Sequence, residues 1–348
     1  MDQPLDALSD VFDQVEVRGV FTGGFAVRGP WTSRVTVSRP LKLVALVAGS
    51  ARVSVDGPGG PDGPVELAPG DVLLLNHRTH LDVQGGRGDG PPTELHPDAN
   101  FDSMALAAAD LSTDDVVLGG WIQVSPAGQE LLGAALPGLV HVGAPTPAAS
   151  RLTALVSQLY AEASSRRLGS AFAMRQHGQL ILLELLRAYL EQEQPPIGWL
   201  RLLADEPLAP ALRLMHENPG RAWELVELAR AASMSRTSFA ERFRMVAGTP
   251  PLAYLSRWRM LLAQRALRNP DVRVGALAAQ LGYGSESAFS TAFKREIGES
   301  PLRYRRRVSA TGQTPIATRA PMPPSRPSMS VATVSGTGQS GNHEHPGQ

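Results

Sequence analysis

The order of apolar and polar positions changes character three times along the chain. From about residue 15 to 125, short apolar-polar alternations are broken by Gly and Pro, as in VTVSRPLKLVALVAGSARVSVDG. A period of two marks strands with one buried face, and β-branched residues suit that setting. PVELAPGDVLLLNHRTHLDVQGG follows, with Pro69-Gly70-Asp71 as a turn before an apolar strand. Many short strands between such turns predict a small β-barrel or sandwich. From Pro145 to about Glu193 the period becomes helical. ASRLTALVSQLYAEASS puts Leu152, Leu155, Val156 and Leu159 on one face, and the next segment predicts a longer helix with Leu180, Leu183, Leu186 and Leu190. This stripe suits either intramolecular core or a dimer face, and both readings stay open. Glu193-Gln194-Pro195-Pro196 opens a connector, and helical periodicity resumes at Leu208 to Glu217. After Ser309 the chain is Pro, Ser, Thr and Gly with almost no large apolar residues, which predicts a disordered tail. His343 and His345 fall in that tail and read as incidental.

Within the last helical stretch one pattern occurs twice. An offset of fifty aligns Ser235 with Ser285, Phe239 with Phe289, Phe243 with Phe293, Gly248 with Gly298, Pro251 with Pro301, Leu252 with Leu302 and Tyr254 with Tyr304. Ser suits a helix N-cap, and two Phe four apart share a helix face. Gly ends a helix and Pro opens the next. Upstream, Leu228-Ala229 matches Leu277-Ala278 at forty-nine, so the turn has gained one residue in the second copy. Each copy predicts a helix, a tight turn, a second helix and a Gly-Pro exit, which is a helix-turn-helix unit. Between the copies, Leu252, Leu255, Trp258, Leu262, Ala266 and Leu267 recur at helical spacing. A helix from Leu252 to Arg268 would be about 26 Å long at 1.5 Å per residue. One turn of B-DNA is about 34 Å, so such a helix suits two recognition helices in adjacent grooves.

Charge separates this repeat from a mere packing module. The chain is formally neutral, but residues 208–308 hold 17 Arg or Lys against 8 Asp or Glu, a net of +9, and the remainder carries −9. A basic helical domain is the electrostatic footprint of a polyanion-binding surface. If the Phe pairs pack inward, Arg236, Thr237, Ala240, Glu241 and Arg244 face outward in the first unit. Glu286, Ser287, Ser290, Thr291 and Lys294 do so in the second. Arg236 has the fork for guanine, and Glu241 or Glu286 accepts from cytosine N4. Ser235 and Ser285, as caps, would lie near phosphate.

The run ELARAASMSRTSFAERFRMVAGTPPLAYLSRWRMLLAQRAL, followed by ALAAQLGYGSESAFSTAFKREIGESPLRYRR, resembles the DNA-binding domain of AraC/XylS transcriptional regulators. The resemblance covers roughly residues 208–308 and is carried above all by the LGY-S-S-F-AFK-GESP-YR pattern of the second unit. It implies a bacterial, cytoplasmic, sequence-specific transcription factor that binds double-stranded DNA and works with RNA polymerase. It places base-reading positions at Thr237, Ala240 and Glu241, and at Glu286, Ser287 and Thr291. Ala240 and Glu241 depart from the polar or basic residues often found there. LAPGDVLLLNHRTH is similar to the second motif of cupins, and family members often carry a cupin-like sensor domain at this place.

The expected architecture is α+β in two domains. A cupin-like β-barrel spans 1–144, a helical connector that is a candidate for dimerisation spans 145–207, and the all-α double helix-turn-helix domain spans 208–308. The tail occupies 309–348. The N-terminal domain is a candidate for sensing a small-molecule effector or forming a homodimer. The competing reading is a ligand-binding or enzymatic cupin that the basic domain tethers to DNA. Chemistry argues against an enzyme. There is no cysteine for thiol catalysis, disulfides or thiolate ligands. The stretch WTSRVTVSRP lacks the His-x-His pair of metal-binding cupins, and His77 and His80, three apart on one strand, would point to opposite faces. No cofactor or metal is therefore expected. The N-terminus lacks an apolar signal core, and no apolar run approaches the roughly 18 residues of a membrane span.

Overall fold

The computed structural model describes residues 6–57, 63–96, 103–143, 147–165, 167–191 and 197–312. The connector expected at 193–196 and the tail from Gln313, with His343 and His345, lie outside the described residues.

Ten strands among these residues form two five-stranded sheets. The first runs β1 (Arg18–Val27), β9 (Asp115–Gln123), β3 (Leu41–Ala48), β6 (Val72–Asn76), β10 (Leu139–Val142). The second runs β5 (Val65–Leu67), β4 (Ala51–Val55), β7 (His80–Gly85), β2 (Trp31–Thr36), β8 (Thr93–Glu94). Sequence pattern explains which sheet is which. ARVSV and HLDVQG alternate, and their polar residues meet solvent. VLLLN is apolar up to its last residue, Asn76, and every residue of it is buried, as in a strand covered on both faces. Leu73 and Leu75 turn inward with Val44, Leu46 and Val117 to meet Trp31, Val53 and Val83 of the other sheet. Val72 and Leu74 turn outward with Leu43, Ala45 and Leu118. The space between the sheets is filled by these side chains, and the Trp31 indole is fixed there by a 2.7 Å hydrogen bond to Asp115. The Pro69-Gly70-Asp71 turn forms as expected, with Gly70 at φ 92° and the Asp71 amide donating to Ala68 O.

Helices cover the outward face of the first sheet: α1 (Ala7–Val15), α3 (Pro126–Ala135), α4 (Pro147–Ala163) and α5 (Ser170–Leu190), with the short α2 (Ser103–Ala107) nearby. α4 and α5 thus share one apolar core with the sheet. Gly178 of α5 and Gly19 of β1 meet backbone to backbone, since a Cβ on Gly178 would lie 2.9 Å from the Gly19 Cα. The face that α5 buries is Ile181, Leu182, Leu185, Leu186 and Tyr189. Leu186 was expected there, but Leu180 is 45% exposed and Leu183 only half-buried. Apolar residues line most of this helix, so period alone does not say which stripe the sheet covers.

His77 and His80 do not share a strand, contrary to the sequence reading. His77 sits after β6 at φ 51°, and His80 opens β7 with its amide and ring turned to Asp56 and Thr79. Both are exposed. Among the described residues, no three His, Asp or Glu are grouped to hold a metal ion.

The remaining helices are α6 (Trp199–Leu203), α7 (Ala209–Glu217), α8 (Leu225–Ala231), α9 (Arg236–Ala247), α10 (Pro251–Ala266), α11 (Val274–Gln280), α12 (Glu286–Ile297) and α13 (Pro301–Gly312). They form two separate cores, one around Phe239 and Phe243 and one around Phe289 and Phe293. Leu202 of α6 belongs to the first core, so that unit reaches upstream of Leu208. α13 runs past Val308 to Gly312. α10 joins both cores and also inserts Trp258 into the N-terminal core beneath α1.

Candidate nucleic-acid interface

The two copies of the repeat fold alike, and each landmark residue takes the role its chemistry suggests. α8 opens with a capping box in which the Glu227 side chain accepts from the Glu224 amide at 3.0 Å. The tight turn passes through the left-handed region at Ser233 (φ 54°) in the first unit and at Gly282 (φ 78°) in the second. These are equivalent positions, forty-nine apart, and Gly284 is the extra residue. Ser235 Oγ then accepts from the Ser238 amide, and Ser285 Oγ from the Ala288 amide, both at 3.1 Å. Two recognition helices of twelve residues follow, α9 and α12. They end at Gly248 (φ 69°) and Gly298 (φ 85°), whose amides donate to Arg244 O and Lys294 O. Pro251 and Pro301 start the exit helices.

The aromatic packing repeats as well. All four Phe side chains are fully buried. Ring centroids are 5.8 Å apart for Phe239–Phe243 and 5.7 Å for Phe289–Phe293. Phe243–Tyr254 and Phe293–Tyr304 make edge contacts at 5.7 and 5.6 Å. These contacts fix which side of each recognition helix faces outward. Ser235, Arg236, Thr237, Glu241 and Arg244 are exposed, and Ala240 is half-buried on the flank. Ser285, Glu286, Ser287, Thr291 and Lys294 are exposed, and Ser290 is half-buried. The structure therefore brings the twelve candidate residues onto two outward faces. Glu286 is distinct among them: its carboxylate folds back over Gly275 of α11, 2.9 Å from where a Cβ would stand. In the first turn of α12 its charge suits the helix dipole.

Several arginines that charge counting assigned to the polyanion surface are instead structural. Arg242 makes a two-pronged contact to Asp205, at 3.0 and 2.9 Å. Arg259 donates to Pro219 O at 2.6 Å and Arg221 O at 2.9 Å. The loop that carries these two carbonyls touches the second unit's turn, where a Cβ on Gly282 would lie 2.1 Å from Gly220 O. Arg305 holds Pro270 O and Val272 O. The linking helix is 16 residues long, about 24 Å. Its buried side includes Leu255 and Trp258 as expected, whereas Leu252 is 48% exposed. Spacing by itself did not reveal these arginine anchors, whose partners are mostly backbone carbonyls.

Comparison with known proteins agrees with this geometry. Residues 228–307 match the helix-turn-helix domain family, and residues 6–191 match the cupin family. An AraC-like transcription regulator of Streptomyces lividans is 34% identical over 303 residues, covering 87% of this chain and 98% of that protein. The chain belongs to the AraC-like transcription regulators. It is a DNA-binding regulator with a cupin-like N-terminal domain. The transcriptional regulator AlkR of Acinetobacter baylyi is 28% identical over 86% of this chain and 99% of its own length. Among solved structures, the DNA-binding domain of AdpA in complex with a target DNA is 36% identical, covering 31% of this chain and 96% of its own, with a TM-score of 0.29. ToxT of Vibrio cholerae is 12% identical over 82% of this chain and 98% of its own, with a TM-score of 0.32. No helix among the described residues is long and apolar enough to cross a membrane.

Proposed function

We propose that this regulator is a one-component switch acting in the bacterial cytoplasm, in which α9 and α12 enter successive major grooves of one duplex. The duplication carries this reading: two Ser-capped helices present polar outward faces and are joined by one helix of about 24 Å. Base contacts fall to Thr237, Ala240, Glu241, Ser287 and Thr291, with Arg236, Arg244 and Lys294 at bases or phosphates. Ser235 and Ser285 cap the two helix starts beside the backbone. Among the described residues, Arg236, Arg244 and Lys294 form no ion pair that would compete with phosphate.

The N-terminal domain, through α5, supplies regulation rather than catalysis. The barrel interior is packed, and the apolar cavity beneath α4 and α5, near Leu118, Trp121, Met174 and Ile181, is about 30 Å³. That is room for about one water, so an effector would enter by parting these helices from the sheet. On the outer side of α5, Phe172 is 60% and Leu180 45% exposed. This supports a homodimer through α5, which would put two DNA-binding domains on one operator. RNA polymerase is the expected partner at the promoter.

Selection of duplexes from random sequence by the full chain tests the reading. A recovered site should span two major-groove segments, and its affinity should fall steeply with salt. Failure to enrich any sequence while the protein is folded would refute it. Light scattering on Phe172→Ser and Leu180→Ser variants tests the dimer, and an unchanged mass would assign those residues no role in it.

A further inference from the structure

The two units have one fold but different outward chemistry. Beside the first recognition helix lies an open groove walled by Leu225, Ala240, Met245, Pro250 and Leu252. Met245 is 59% exposed and Leu252 48%. Glu241 and Arg244 are the polar residues of this groove, and both belong to the base-facing set. In the second unit the equivalents of Ala240, Glu241, Met245 and Pro250 are Ser290, Thr291, Arg295 and Ser300. Leu225 is matched by Val274 and Leu252 by Leu302. Four equivalent positions therefore exchange an apolar and acidic surface for a hydroxyl-rich and basic one.

Facing a duplex, such a groove has limited chemical choices. Apolar side chains gain nothing from phosphate or from the donors and acceptors of base edges. The apolar group that a base edge offers in the major groove is the thymine C5-methyl. Glu241 is repelled by phosphate and must meet a donor, which cytosine N4 and adenine N6 provide. Ser290 and Thr291 instead offer hydroxyls that donate or accept. We propose that the units divide the operator by chemistry: the first seats thymine methyl groups against Ala240 and Met245, with Glu241 on a neighbouring amino group, and the second reads through hydroxyls. This rests on the reading that both recognition helices face the major groove. The groove's continuity with that face, through Glu241 and Arg244, names base edges as its occupant rather than a protein segment.

The test uses the full chain and a duplex selected by it from random sequence. Each thymine is replaced in turn by deoxyuridine, which removes the methyl group and leaves the pairing edge intact. In the half-site whose preference changes on Glu241→Gln, each contacted thymine should cost about fourfold in affinity, the worth of one buried methyl group. The double variant Ala240→Ser with Met245→Arg gives the first unit the second unit's residues at surface positions. It should abolish this sensitivity and leave the other half-site's preference unchanged, while the added arginine raises the salt slope by at most about one ion. Uracil tolerated throughout the first half-site overturns the proposal, as does sensitivity that survives the double variant. If the double variant binds DNA as before, uracil sensitivity included, but no longer changes transcription by purified polymerase as the parent protein does, the groove is a protein-docking surface and the proposal falls. Failure to enrich any duplex would instead sink the underlying reading of two base-facing helices, a distinguishable result.

Discussion

His216 Nε2 lies 2.8 Å from the hydroxyl of Tyr254, and its Nδ1 lies 3.3 Å from the carboxylate of Asp10. A carboxylate only accepts, so Nδ1 carries the proton, and Nε2 of the neutral ring accepts from the Tyr254 hydroxyl. The ring also stacks on Trp258 with centroids 3.9 Å apart. Tyr254 in turn meets Phe243, so α1 of the N-terminal domain is linked through His216 to the aromatic core of the first DNA-binding unit. At the C-cap of α1, Glu16 pairs with Arg268 beyond the end of the linking helix. The two domains meet through these polar contacts as well as through Trp258.

Burial lowers the His216 pKa from 6.5 to about 4, which outweighs the nearby Asp10. The unfolded chain therefore binds a proton that the folded chain refuses between those values. Stability contributed by this group is complete above pH 6.5 and is lost as pH falls towards 4, by about 3 kcal/mol in all. Burial, with Asp6, Asp13 and Glu217 nearby, pushes the Asp10 carboxyl upward, which acts in the opposite sense at lower pH. The cleanest window is thus about pH 5 to 6.5. Denaturant titrations across it should show a stability slope that His216→Gln largely removes. Equal slopes for both proteins would assign the pH dependence elsewhere.

Asp205 is expected to support the first unit from outside the repeat. Its carboxylate takes both prongs of Arg242 and also accepts from the Leu208 amide at 3.1 Å. The Asp205 side chain is 9% exposed but that of Arg242 is 38%, so solvent screens part of the attraction. Asp205→Ala should cost about 1–2 kcal/mol, and a double-mutant cycle with Arg242→Ala should return a coupling of about 1 kcal/mol. Zero coupling would mean that the pair is held by its surroundings and adds nothing.

The repeat was legible in the sequence because its signals are local. Ser caps, the Phe pair, the Gly exit and Pro at the next helix start each act within one turn of chain, and Ser235, Phe239, Gly248 and Pro251 all do what their chemistry suggests. Long-range partners were less visible. The pairing of β1 with β9 spans nearly the whole barrel sequence, and the unbroken burial of VLLLN marks a strand covered on both faces without naming what covers it. Leu180 and Leu252 sit at helical spacing yet are exposed, because periodicity selects a stripe and only the tertiary partner selects its width. The contact of α1 with the DNA-binding half left no trace in composition, since Asp10 and Glu16 look like ordinary helix carboxylates.

The last prediction separates reading from packing on α12. Thr291 is exposed, one position from the buried Ala292 and two from the fully buried Phe293. Thr291→Ala should leave stability unchanged and alter preference at one or two operator positions, by about 1–3 kcal/mol for a specific contact. Phe293→Ala removes a ring that packs on Phe289 and Tyr304, at 5.7 and 5.6 Å, and leaves a cavity in the second core. It should cost about 3–5 kcal/mol of stability and weaken binding to all sequences alike. Lys294, exposed beside them, should behave in a third way. Its replacement by Ala should weaken specific and nonspecific DNA together and lower the salt slope by roughly one ion. Chemical denaturation and binding isotherms on the three variants distinguish these outcomes. If Thr291→Ala unfolds the domain while Phe293→Ala only shifts site preference, the two faces of α12 are exchanged, and the groove assignment of the whole repeat fails with them.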